Sequence, residues 1–81
     1  LKFFPGTLIG PAGLKAMKAV LPVETLTYVV GGADASNFAE WANIGVTGFG
    51  IGSALYKAGM APEEIAKNAV EICHAYDEAM T

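Results

Sequence analysis

Apolar residues along the chain fall into short strand-like runs that alternate with stretches of helical spacing, and Gly or Pro marks almost every change. Leu1-Lys2-Phe3-Phe4 reads as a short strand stopped by the turn signal Pro5-Gly6. Gly10-Pro11 opens a helix whose apolar face is Leu14, Met17, Val20 and Leu21, while Lys15 and Lys18 point elsewhere and Pro22 closes it. Thr25 to Val30 is a second strand, apolar almost throughout, as burial on both faces requires. Asp34 is placed to cap the next helix, whose apolar face is Phe38, Trp41 and Ala42 and which Gly45 ends. Val46 to Ile51 is the third strand, and Ser53 to Lys57 a short helical turn broken at Gly59. Pro62 at a first helical position, with Glu63 and Glu64 at the positive end of the dipole, starts a last helix. Its apolar stripe is Ile65, Ala69, Ile72, Cys73, Tyr76 and Met80. The order βα-βα-βα with tight βα loops predicts an α/β fold with parallel strands and right-handed crossovers. No linker, low-complexity segment or repeat divides it.

Two of the strands end alike. Val29-Val30 runs into Gly31-Gly32, and Gly50-Ile51 into Gly52-Ser53, each just before a helical pattern. Backbone N–H groups at such a step are unpaired and aimed outward, and glycine lets an anion approach the main chain closely. Two such strands side by side could share one phosphate; the plainer alternative is that these glycines serve tight turns and close packing. Gly48 and Gly50 alternate with Phe49 and Ile51 and read as packing positions.

With 81 residues the chain is one small domain at most, yet 53% of it is hydrophobic and only 16% charged. So apolar a balance in so short a chain suggests part of a larger core, or a subunit with a broad partner face. The net charge of −3 argues against a nucleic-acid partner, which would want a basic stripe. One cysteine, Cys73, leaves no internal disulfide and fits a reducing, cytoplasmic setting. No apolar run approaches a membrane span, and no basic-then-apolar leader opens the chain, which begins in mid-strand at Leu1.

At Lys2-Phe3-Phe4-Pro5, Val30-Gly31-Gly32 and Gly50-Ile51-Gly52-Ser53, in that order, the chain resembles the 2-keto-3-deoxy-6-phosphogluconate and 6-phosphogalactonate aldolases. Gly10-Pro11, Lys18-Ala19-Val20-Leu21-Pro22 and Leu55-Tyr56-Lys57-Ala58-Gly59 extend the likeness over essentially the whole length. The resemblance implies the last three βα units of a single (β/α)8 TIM-barrel domain, with residues 1–81 as its C-terminal part and the earlier strands absent. It implies a class I lyase, trimeric as a full-length protein, that needs no cofactor. Its substrate would be a phosphorylated 2-keto-3-deoxy sugar acid, cleaved to pyruvate and D-glyceraldehyde 3-phosphate. Val30 before the Gly-Gly pair, and the Leu55–Gly59 run, look like the galactonate branch; the gluconate enzyme is the alternative. The family's catalytic glutamate and its contacts to the substrate carboxylate come from earlier strands, so the 81 residues alone are expected to be inactive.

The resemblance places Lys2 at the Schiff-base position, although by spacing alone it reads as a solvated surface lysine. Such a lysine must be neutral to attack a ketone, and so needs a desolvated site, which a barrel strand end beside Phe4 would supply. The resemblance also assigns Gly31, Gly32, Gly52 and Ser53 to the phosphate, and Phe4 and Val30 to substrate, with an ordinary core role the alternative for Phe4. Thr27 and Thr47 read as structural, His74 as a solvated surface histidine and Cys73 as a small core residue. No His, Cys or carboxylate spacing suits a metal. A non-catalytic fragment that binds a phosphate or a partner chain is the reading from another class. A phosphate-binding isomerase barrel is a third, against which Lys2-Phe3-Phe4-Pro5 speaks.

Overall fold

The computed structural model describes all residues from Leu1 to Thr81. Its elements are β1 (Lys2–Phe3), α1 (Gly6–Lys18), β2 (Tyr28–Val30), α2 (Phe38–Asn43), β3 (Gly48–Gly50) and α3 (Pro62–Met80). The strands form one parallel sheet in the order β1-β2-β3, with Lys2 opposite Tyr28 and Tyr28 opposite Gly48. The second and third strands are shorter than their apolar runs. Ahead of β2, the Thr47 N–H donates to the Thr27 carbonyl (2.8 Å) and the Thr27 N–H to Thr47 Oγ1 (3.1 Å), so this threonine pair ties the strands below the regular ladder. That agrees with a structural role for both.

The two faces of the sheet differ completely. Phe3, Val29 and Phe49 lie in register on one face, and all three helices pack there. Leu14 of α1, Phe38 and Trp41 of α2, and Val29, Ala33 and Val46 are its buried apolar residues, and Ile72, Ala75 and Ala79 of α3 close over them. The Phe38 and Phe49 rings stack at 4.4 Å between centroids, with Tyr76 edge-on to Phe49. The other face carries Lys2, Tyr28, Val30, Gly48 and Gly50 and no helix. A Cβ on Gly48 would sit 3.1 Å from the Tyr28 ring, and one on Gly50 would sit 2.8 Å from a Val30 methyl. Those two glycines make room for their neighbours' side chains, as packing positions do.

Several local expectations change. The first helix starts at Gly6, not at Gly10-Pro11: a single turn over Gly6–Ile9 is broken at Gly10 (φ 71°, ψ 159°), and Pro11 then opens the longer part. Of its expected apolar face Leu14 is fully buried and Met17, still within α1, stays exposed; Val20 is exposed because α1 ends at Lys18 and the chain turns away, and Ile9 packs on the core. Lys18 Nζ reaches the Gly45 carbonyl (3.1 Å), a cation at the C-terminal end of α2. Asp34 is not the cap of α2: Asn37 stands there, the Asp34 carboxylate accepts from Ser36, and only its carbonyl takes the Asn37 and Phe38 N–H groups. Gly45, at φ 86°, ends the helix as expected. Residues 53–57 make only one turn, closed by the Leu55 and Tyr56 N–H groups on the Gly52 carbonyl. Cys73 is exposed, not a core residue: α3 turns Ile72, Ala75 and Ala79 inward, with the Tyr76 ring edge on Phe49, and Cys73 falls outside that face. His74 is a surface residue, paired with Glu78 one turn on (2.6 Å). No helix is long and apolar enough to cross a membrane.

Candidate phosphate cleft

At the C-terminal ends of β2 and β3, on the face without helices, the chain forms a cleft of about 240 Å³. Six of the residues singled out in the sequence line it: Phe4, Val30, Gly31, Gly32, Gly52 and Ser53. Parallel pairing is what brings them together, because it sets both glycine-ended strands to finish at one edge. Lys2 is not in the lining. It stands on the same face, opposite Tyr28, two residues or ~7 Å along the strand from the row of Val30. The desolvated setting expected beside Phe4 is not built by these residues: Lys2 is exposed and Phe4 is 71% exposed, since nothing in the chain covers this face.

The wall contributed by Gly31 and Gly32 is held from behind. Both residues have φ near +85°, where a side chain is strained. A Cβ on Gly32 would lie only 2.0 Å from the Thr7 methyl, and one on Gly31 would lie 3.1 Å from the Phe4 ring. The Thr7 N–H donates to the Gly31 carbonyl (3.2 Å), and Asn37 Nδ2 to the Gly32 carbonyl (2.7 Å). Asn37 Oδ1 in turn accepts the Asp34 N–H (3.0 Å). Asp34 Oδ1 accepts from both the N–H and the hydroxyl of Ser36. The opposite wall is open: Gly52 has no positive φ, and a Cβ there would meet nothing within 4 Å.

The N–H groups of Gly31, Gly32, Ala33, Gly52 and Ser53 donate to no acceptor in the chain. A row of unpaired main-chain donors around one concavity can bind an anion without any charged side chain. The sequence did not single out Ala33 and Asn37. Ala33 looks like any small residue after a glycine pair, and Asn37 like one more polar residue before a helix. The only signal was the cluster of polar residues Asp34, Ser36 and Asn37 shortly after Gly31-Gly32.

No family model matches the chain. A curated protein of Rhizobium meliloti (strain 1021), named "Probable 2-dehydro-3-deoxy-6-phosphogalactonate aldolase", is 46% identical over 77 residues, 95% of this chain. The 2-dehydro-3-deoxy-6-phosphogalactonate aldolase of Escherichia coli (strain K12) is 44% identical over 80 residues, 99% of this chain. The chain spans 36% and 39% of these two relatives. Among solved structures, native KDPGal superposes with a TM-score of 0.92 at 44% identity, over 98% of this chain and 38% of that one. A cube-shaped, highly porous protein cage designed by fusing symmetric oligomeric domains gives the same score and identity, over 29% of its chain. The class is therefore an α/β segment with parallel strands, of the kind found within a sugar-acid aldolase. In sequence and in backbone, the chain is a relative of the 2-dehydro-3-deoxy-6-phosphogalactonate aldolases over a segment of their length.

Proposed function

We propose that this segment belongs to a Schiff-base aldolase that cleaves 2-dehydro-3-deoxy-6-phosphogalactonate to pyruvate and D-glyceraldehyde 3-phosphate. It supplies the lysine and the phosphate grip. The observation that carries the reading is the convergence of Gly31, Gly32, Gly52 and Ser53 on one cleft, with Lys2 on the same open face of the sheet. In this reading the three βα units are the last three of a (β/α)8 barrel, whose C-terminal rim is where such enzymes place their sites. The bare face carrying Lys2 is then the barrel interior, and further strands supply the desolvation that these residues lack. The general base belongs to those strands too, so the 81 residues alone are inactive. The whole enzyme is a cytoplasmic homotrimer, as the family resemblance implies.

The chemistry runs through Lys2. Its neutral amine adds to the C2 ketone, and loss of water gives an iminium. A base takes the C4 hydroxyl proton, the C3–C4 bond breaks, and its electron pair moves into the iminium to form an enamine. Glyceraldehyde 3-phosphate leaves first. Protonation of the enamine at C3 and hydrolysis of the imine then release pyruvate and restore the amine. The phosphate, held on backbone N–H groups, fixes the position of C4 relative to the lysine.

Treatment of a full-length aldolase carrying this segment with pyruvate and borohydride tests the reading. The expected result is a reduced pyruvate adduct on the peptide containing Lys2, located by mass spectrometry. An adduct on another lysine, or none, overturns the mechanism.

A further inference from the structure

We propose that Asn37 is a positioning residue for the phosphate, and that the Ala33 N–H, aimed by it, is one of the donors. The proposal rests on the aldolase reading above and extends it to two residues that the resemblance does not mark. A trans peptide is planar, with its C=O and N–H pointing in opposite directions. Both peptides in question are trans. Because the Thr7 N–H holds the Gly31 carbonyl, the Gly32 N–H points away from Thr7. Because Asn37 Nδ2 holds the Gly32 carbonyl at 2.7 Å, the Ala33 N–H points away from Asn37. Gly32 and Ala33 both line the cleft.

The Ala33 N–H is the more telling of the two. Ala33 is only 4% exposed, yet its N–H has no acceptor in the chain. A buried main-chain donor left orphaned is uncommon and costly, and an anion in the cleft would satisfy it. Asn37 is placed to fix this peptide because its amide works in both directions. It donates to the Gly32 carbonyl and accepts the Asp34 N–H (3.0 Å), so the loop from Gly32 to Asp34 is clamped at both ends by one side chain. The Gly31 pin is main chain to main chain and holds with any side chain at position 7. The Gly32 pin is lost with Asn37.

The test compares Asn37→Ala and Asn37→Asp with the parent in a full-length aldolase carrying this segment. The substrates are 2-keto-3-deoxygalactonate with and without its 6-phosphate. Loss of folded enzyme lowers both rates equally and leaves their ratio unchanged, so the ratio reports on the phosphate alone. Asn37→Asp keeps the shape and the acceptor for Asp34 but loses the donor to Gly32. Both variants are expected to raise KM for the phosphorylated substrate about 10- to 100-fold, the size of one misaimed hydrogen bond to a charged group. Rates with the unphosphorylated substrate should be retained, and Asn37→Gln should recover part of the loss. An unchanged ratio in Asn37→Ala overturns the proposal, and a drop confined to Asn37→Asp does so too, since that is charge repulsion and not a lost pin. A parent that does not favour the phosphorylated substrate overturns the phosphate site itself, and Asn37 with it.

Discussion

The two glycine turns that wall the cleft look alike in sequence and are held by different physics. At Gly31-Gly32 the chain itself demands glycine. Both residues sit at positive φ, the Thr7 methyl occupies the space a Gly32 Cβ would need, and both carbonyls are pinned. At Gly52-Ser53 the chain demands nothing: no strain, no neighbour within 4 Å of a Gly52 Cβ, and an exposed serine. A glycine required by the fold says little about a ligand. A glycine with no reason inside the fold, facing a row of unpaired N–H groups, is the better witness to one.

That contrast can be broken by mutation in a full-length aldolase carrying this segment. The largest effect is expected at Gly32. Gly32→Ala combines positive-φ strain with overlap on Thr7, and should cost about 3 kcal/mol of stability, read from a denaturant midpoint. A loss under about 1 kcal/mol would mean that Thr7 and the loop yield easily and that the first turn is no more constrained than the second. Next comes Gly52→Val, which should leave stability within about 0.5 kcal/mol, as at an open surface position. Its bulk blocks close approach of the anion, so KM for the phosphorylated substrate should rise about 10- to 100-fold, while borohydride trapping of pyruvate changes little. Equal loss of both readouts would place Gly52 in the fold after all.

A smaller effect sharpens the picture between the two turns, at Val30. It lines the cleft and offers no hydrogen bond to a substrate hydroxyl. Val30→Thr supplies one, and should shift the ratio of kcat/KM toward the gluconate epimer by about 1 kcal/mol, or roughly fivefold. Pyruvate release from each epimer measures it. If both rates fall together and the ratio holds, Val30 only packs against Gly50, and the galactonate preference is set elsewhere.

Much of this was legible in the chain, for reasons that can be named. The alternation of apolar runs with Gly and Pro punctuation gave three parallel strands, because each tight βα loop needs a turn residue at a fixed place. The cleft followed from the same loops, since parallel strands bring their glycine ends to one edge. What failed was judgement by bulk. Cys73 fits the apolar stripe of α3 by period but is exposed in the fold, because the helix turns Ile72, Ala75 and Ala79 inward and only the edge of Tyr76 reaches Phe49. Val20 fits a helical period that ends, in the fold, at Lys18. Asn37 was beyond reach for another reason. Its partner, the Gly32 carbonyl, is set by the fold of the loop between them, and a polar residue before a helix predicts a cap, not a brace on the preceding strand end.

The phosphate grip is tested most directly by a crystal structure of a full-length aldolase carrying this segment, with glyceraldehyde 3-phosphate bound. The phosphate is expected in the cleft between the two turns, its oxygens within hydrogen-bond reach of the Gly32, Ala33 and Ser53 N–H groups. The sugar chain should run from there toward Lys2. A phosphate bound elsewhere on the protein, with this cleft empty, would contradict that grip.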